Sequence, residues 1–281
     1  MQSKNILKAL TMIIAGLSMM VTYANQSTLP ASAKISVSAK QELQTFYQQP
    51  TFLKFIQLTS DMNNQGRSNN LLLTFSAMVI DKHPDYAKKI AENFPNYSSN
   101  EKALLFKALT ASDSKNTINF INNSYHYKTD IEPQFTVKTT NTLKINNNPD
   151  NLDRLWAAYF ATGDDIYLLK MIRYINTDNF MLIVAYEMVN RKYLCEFVKH
   201  LNNSACQPNT DLIKAIEKQY PNNSKQMLQK AAVVASTLWS LESNRHQDKF
   251  MDKKIKQIFD KNTELDYWKK INRALKNDAQ P

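Results

Sequence analysis

The chain has 281 residues and a mass of 32.4 kDa, with 43% hydrophobic and 21% charged residues, enough to bury a sizeable core. Three glycines and nine prolines exclude a collagen-like or Gly-rich linker protein and disfavour a sheet fold with many glycine-dependent turns. Thirty-five basic against 25 acidic residues give a net charge of +10, which names no reaction but favours anionic partners.

At the start of the chain Lys4 and Lys8 precede an apolar run over residues 10–21, followed by Thr22, Tyr23 and Ala24. A basic head, an apolar middle and small residues before a cut predict a secretory signal peptide over 1–24. The apolar run, about a dozen residues, falls short of the ~20 that span a bilayer. The lysine- and asparagine-rich composition suits a bacterium with an AT-rich genome, for which export means the periplasm or the medium. Residues 25–36 are small and polar, with Pro30, Ala31, Ser32 and Ala33, and read as a flexible leader.

From residue 37 to 124 the apolar residues recur at helical spacing. Leu43, Phe46 and Tyr47 form one face before Pro50; Phe52, Phe55, Ile56 and Leu58 form the next; Leu72, Phe75, Ala77, Val79 and Ile80 follow. Pro84 suits the first turn of a new helix, where a missing N–H costs nothing. Ser98 and Glu101 have the three-residue spacing of a capping box and open a helix carrying Leu104, Leu105, Ala108 and Leu109. A shorter partner over 114–123 carries Ile118 and Ile121.

Residues 125–149 break this rhythm. Phe135, Val137 and Thr139 alternate, and Thr140, Leu143 and Ile145 continue an extended course, which predicts an extended linker or a small hairpin. Beyond it, 150–281 forms a C-terminal helical region. Leu152, Leu155, Trp156, Tyr159 and Phe160 lie along one helix, Thr162-Gly163-Asp164 supplies its end and the next cap, and Ile166, Leu169, Ile172 and Tyr174 begin a second stripe. Further helices are predicted over 180–200, 211–220, from a cap at Ser224 through Trp239, over 249–259, and over 263–276 with Thr263 and Asp266 as caps. The fold class is therefore all-α, built of consecutive antiparallel helical hairpins. A short irregular α-solenoid is one form such hairpins take, although their spacing is too uneven for the common 34-residue repeat.

The sequence holds no phosphate loop, dinucleotide fingerprint, zinc-protease helix or serine elbow, so no catalytic, cofactor-binding or metal-ligating residue is assigned. His83, His126, His200 and His246 are scattered. Asp153, Asp164, Asp165 and Glu187 are the carboxylates closest to the aromatic segment. They would serve a polymer hydrolase or lyase of the envelope, but capping and an ion pair of Glu187 with Arg191 account for them more simply. Trp156, Tyr159, Phe160, Trp239 and Trp268 could line a groove, yet their helical spacing points first to core packing.

The favoured role is binding or scaffolding. Arg245 and His246, in the polar run 242–248, and Lys253, Lys254 and Lys256 beyond it make a basic surface for an envelope protein, a peptide or an anionic polymer. Acidic residues interrupt the basic C-terminal region, which does not favour nucleic acid. Cys195 and Cys206 are the only cysteines, and an oxidising destination predicts a bridge closing a short loop after a helix end. Intact-mass measurement of the secreted protein should give a chain starting at Asn25 with no alkylatable thiol before reduction and two after it. An intact Met1 would refute the cleavage, and two free thiols in the folded exported chain would refute the bridge.

Overall fold

A computed structural model describes residues 42–64, 69–127, 136–146, 148–190 and 210–278. Every regular element among the described residues is helical. The signal segment, the leader, Arg191, His200 and the Cys195–Cys206 bridge lie outside them. By compactness, the described residues within 42–144 and 150–167 form a first unit, and those within 145–149 and 168–278 a second. Residues 150–167, expected with the C-terminal region, thus pack in the first unit.

The first unit contains α1 (Phe52–Asn64), α2 (Asn69–Lys82), α3 (Pro84–Asn93), α4 (Ser99–Ala111), α5 (Lys115–Tyr125), α6 (Val137–Thr142) and all but the first residue of α7 (Pro149–Thr162). Pro84 stands at the start of α3, as its fixed φ and missing donor favour. Ser98 and Glu101 form the full capping box. Ser98 Oγ accepts from the Glu101 N–H at 3.4 Å, and Glu101 Oε2 accepts from the Ser98 N–H at 2.9 Å. Bonding to Ser98 holds the Glu101 carboxyl below its usual range.

An aromatic cluster fills the interior of this unit. Phe46 meets Phe75 edge-on at 5.3 Å, Phe75 meets Phe55 at 6.4 Å, and Phe55 stacks on Tyr86 at 5.9 Å. Trp156 and Tyr159 are fully buried, with Phe160 stacked on Trp156 at 5.3 Å. The helical spacing of this segment is therefore a core stripe.

The end of α7 is fixed from three sides. Gly163 adopts φ +69°, the left-handed turn that lets a helix stop, and its N–H donates to the Tyr159 carbonyl at 2.7 Å. Lys82 Nζ donates to the Thr162 carbonyl at 2.8 Å and pairs with Asp164 at 3.4 Å, placing a cation at the negative helix end. Tyr47 closes over the turn, its hydroxyl 3.2 Å from that of Tyr159.

The extended course expected at 125–149 is corrected in its middle, where Val137–Thr142 is an α-helix. Alternation of β-branched residues suggested a strand, but tertiary burial outweighs that weak preference. Val137 and Thr140 are buried, α6 packs on α2, and Thr140 Oγ1 donates back to the Thr136 carbonyl at 3.3 Å. Residues 143–145 are irregular, and the described residues of 125–149 include no strand.

The second unit holds α8 (Asp165–Ile175) from residue 168, α9 (Asn179–Asn190), α10 (Thr210–Gln219), the 24-residue α11 (Ser224–Gln247), α12 (Lys249–Lys261) and α13 (Tyr267–Asp278). Met181, Val184, Ile216, Leu228 and Ala231 form one apolar seam where α9, α10 and α11 meet. Ser224 is the first helical residue of α11 and makes no cap; Asn223 precedes it, also without a side-chain cap bond. Asp266 does cap α13, accepting from the Lys269 N–H at 3.1 Å, whereas Thr263 opens a short 3₁₀ turn.

Within each unit the helices also pack beyond their chain neighbours. In the first unit α4 contacts both α1 and α2; in the second α9 contacts both α11 and α13. Such contacts make a bundle-like packing in each unit, where a simple stack would join only successive hairpins. A Cβ at Gly163 would sit 2.4 Å from Tyr47 Cδ2 in a backbone conformation that side chains avoid. Gly163→Ala should therefore lower stability by about 2 kcal/mol or more in denaturant unfolding. Adding Tyr47→Ala should not restore wild-type stability, because the left-handed strain persists and a ring contact is lost.

Candidate functional site

The polar run 242–248 and the lysines that follow it come together at the junction of α11 and α12 in the second unit. The junction is a single residue, Asp248, which is buried and accepts from the Phe250 N–H at 2.8 Å as the cap of α12. A one-residue connection between two helices needs such a cap, since the first N–H groups of α12 have no helical partner.

Glu242, on the last turns of α11, is the anchor of this region. Its Oε1 accepts from Tyr267 Oη at 2.6 Å, Trp268 Nε1 at 2.9 Å and Arg245 Nη1 at 3.3 Å. The Tyr267 and Trp268 donors tie α11 to the start of α13, while Arg245 donates from within α11, and charge-assisted bonds of this kind are stronger than neutral ones. Burial, reinforced by the Glu242 charge, holds the Tyr267 phenol well above its usual pKa. Tyr267 therefore stays protonated and works here as a donor.

Arg245, one of the residues assigned to a partner surface, is turned inward. Its side chain is 19% exposed, and its Nε donates to Asp252 while Nη1 reaches Glu242. Burial opposes the guanidinium charge, but the hydrogen bond to Asp252 and the field of Glu242 outweigh it and raise its pKa. Asp252 also pairs with Lys256 at 2.6 Å, and the bonds from Arg245 and then Lys256 hold its carboxyl below the ordinary range.

The other assigned residues face outward. His246 has 81% of its side chain exposed, at 4.0 Å from Glu242 Oε2. Lys253 is exposed, Lys254 is half-buried, and Lys256 is exposed while paired with Asp252. The inner side of α12 carries Met251, Ile255, Ile258 and Phe259, all buried. Lys249, Lys253 and Lys261 stand on its outer side with Phe250. Phe250 was not singled out by sequence. The signal was its register: the inner stripe runs 251, 255, 258, and position 250 falls beside it.

The carboxylates near the aromatic segment have different local surroundings. Asp153 is buried in the first unit, Asp164 pairs with Lys82, Asp165 is exposed, and Glu187 lies on α9 of the second unit. Asp81, at the end of α2, is a carboxylate that sequence did not single out, and desolvation raises its pKa. Both Asp164 and Asp81 add to the burial that pushes the Tyr167 phenol up to about 12. Among the described residues no group of three or more His, Cys, Asp or Glu is placed to hold a metal ion, and no helix is long and apolar enough to cross a membrane. No protein-family model, curated protein or solved structure matches the chain.

Glu242→Ala leaves the Tyr267 hydroxyl and the Trp268 N–H without their acceptor and should cost about 2–4 kcal/mol in denaturant unfolding; Glu242→Gln, which keeps an acceptor oxygen, should cost less. The depressed pKa of Asp252 contributes stability above the ordinary carboxylate range near pH 4, which is lost as pH falls through the folded value. Asp252→Asn should lower stability at neutral pH by about 1 kcal/mol and flatten the acid limb of the stability profile, as pH-dependent unfolding will report.

Proposed function

We propose that this chain is an exported, non-enzymatic binding or scaffolding protein of the bacterial envelope or medium, and that the outer face of α12 meets an anionic ligand. The observation that supports this reading is the sorting of charge around that helix. Asp252, an acid in its first turn, is drawn to Arg245 and Lys256, whereas Lys249 and Lys253 make no ion pair among the described residues and stand exposed. A rigid helix whose first acid is satisfied internally, and whose five lysines outnumber its one exposed acid, Asp260, carries net positive potential on its outer side. The export signal over 1–24 and the Cys195–Cys206 bridge belong to the same proposal.

The rival reading is an envelope polymer hydrolase or lyase. Asp164 is one of the carboxylates such an enzyme would draw on, and its charge, with that of Asp81, acts on the Tyr167 phenol. Against it, Asp164 is paired with Lys82, and Trp156, the aromatic residue that would platform a sugar, has no exposed surface.

Lys249→Glu/Lys253→Glu should weaken binding of polyphosphate, used as a defined polyanion, by about tenfold or more at low salt. These positions avoid the Arg245–Asp252–Lys256 pairs, so the helix should stay folded by circular dichroism. Polyphosphate binding that is absent in the wild type, or unchanged in the double variant, would reject the α12 face as the binding surface.

A further inference from the structure

Positions 250, 254, 257 and 261 follow the i, i+4, i+7, i+11 spacing of one helix stripe, with 253 beside it. In α12 that stripe is Phe250, Lys253, Lys254, Gln257 and Lys261, and it contains no carboxylate; Asp260 borders it. Phe250 is 62% exposed at the head of the stripe. It is also held there. Its own N–H is bonded to the Asp248 cap, and the next residue, Met251, is fully buried, so the ring cannot swing into the core without breaking the start of the helix.

We infer that this stripe is a shallow docking face for an anionic phospholipid surface. The inference rests on the anionic-ligand reading above and names its partner. A soluble polyanion offers lysines a charge but offers a fixed, solvent-facing phenylalanine nothing. A bilayer interface offers both, with phosphate-bearing headgroups for the lysines and an acyl boundary beneath them for the ring. The apolar side of α12 is occupied by Met251, Ile255, Ile258 and Phe259 in the unit's own interior. The helix therefore does not lie down in the interface as a free amphipathic helix does. Only Phe250 inserts. That geometry makes the contact peripheral, reversible and salt-sensitive, with the unit remaining folded.

The test uses the full mature chain and vesicles of phosphatidylcholine with or without about one third phosphatidylglycerol, in a flotation assay at low and at high salt. Wild type should float with the anionic vesicles at low salt, and neither with pure phosphatidylcholine nor at high salt. Phe250→Ser, at an exposed position, should remain folded by circular dichroism and lose about tenfold in vesicle partitioning, while its affinity for polyphosphate stays unchanged. Lys253→Glu/Lys261→Glu, at two exposed positions of the same face, should remain folded by circular dichroism and lose both. Equal flotation of wild type and Phe250→Ser, or equal flotation with neutral and anionic vesicles, would overturn the lipid assignment. Polyphosphate binding without any flotation would also overturn it while leaving the anionic-ligand reading intact. Absence of binding to either probe would remove both.

Discussion

Helices of ten to fourteen residues are marginal in water by themselves, because nucleation is costly and a large share of their backbone groups lies at the ends. Nearly every helix here is of that length. Two conditions must then be met together: each apolar stripe must be buried against another, and each exposed helix end must find partners for its backbone. The first is met by the aromatic contacts of Phe46, Phe55, Phe75 and Tyr86 in one unit and by the Met181–Val184–Leu228 seam in the other. The second is met residue by residue, by Ser98 and Glu101, Asp248, Asp266, Gly163 and Lys82.

The same need for closed helix ends shapes the candidate site. Asp248 makes a one-residue junction possible, and that tight turn sets α12 against α11 so that Asp252 comes within reach of Arg245. Once Asp252 is engaged there, the charge left on the outer side of α12 is mainly lysine. Glu242, by gathering Tyr267 and Trp268, fixes α13 to the same turn of α11. The basic face is thus a by-product of internal pairing, presented beside a junction where Glu242, Arg245, Asp248 and Asp252 are all engaged by the protein itself.

Much of this was legible before folding. The capping box at Ser98–Glu101, the proline at the start of α3, the glycine ending α7 and the buried stripe Leu152–Leu155–Trp156–Tyr159–Phe160 are all local signals, carried by residues within a turn or two of each other. The α6 segment reads as extended because Val137, Thr139 and Thr140 favour strands, but that preference is weak and is overridden by packing on α2, some sixty residues earlier. The candidate surface was partly visible as a run of basic residues. Sequence could not separate Arg245, which is used inside the protein, from Lys253, which is not.

Periodicity, capping residues and the scarcity of glycine determined by themselves that this chain is helical and where most helices start and stop, because helix formation and termination are governed by interactions over about four residues. Only the tertiary structure decided which helices meet, that residues 150–167 pack with the earlier helices, and that Glu242 collects donors from a helix 25 residues further on. Those outcomes depend on which stripes and polar side chains are brought face to face, and a charge's availability depends on the partner delivered to it by another helix. For that reason the net basicity was apparent in the composition, whereas the lysines left facing solvent, and the phenylalanine beside them, emerged only once α12 had been packed.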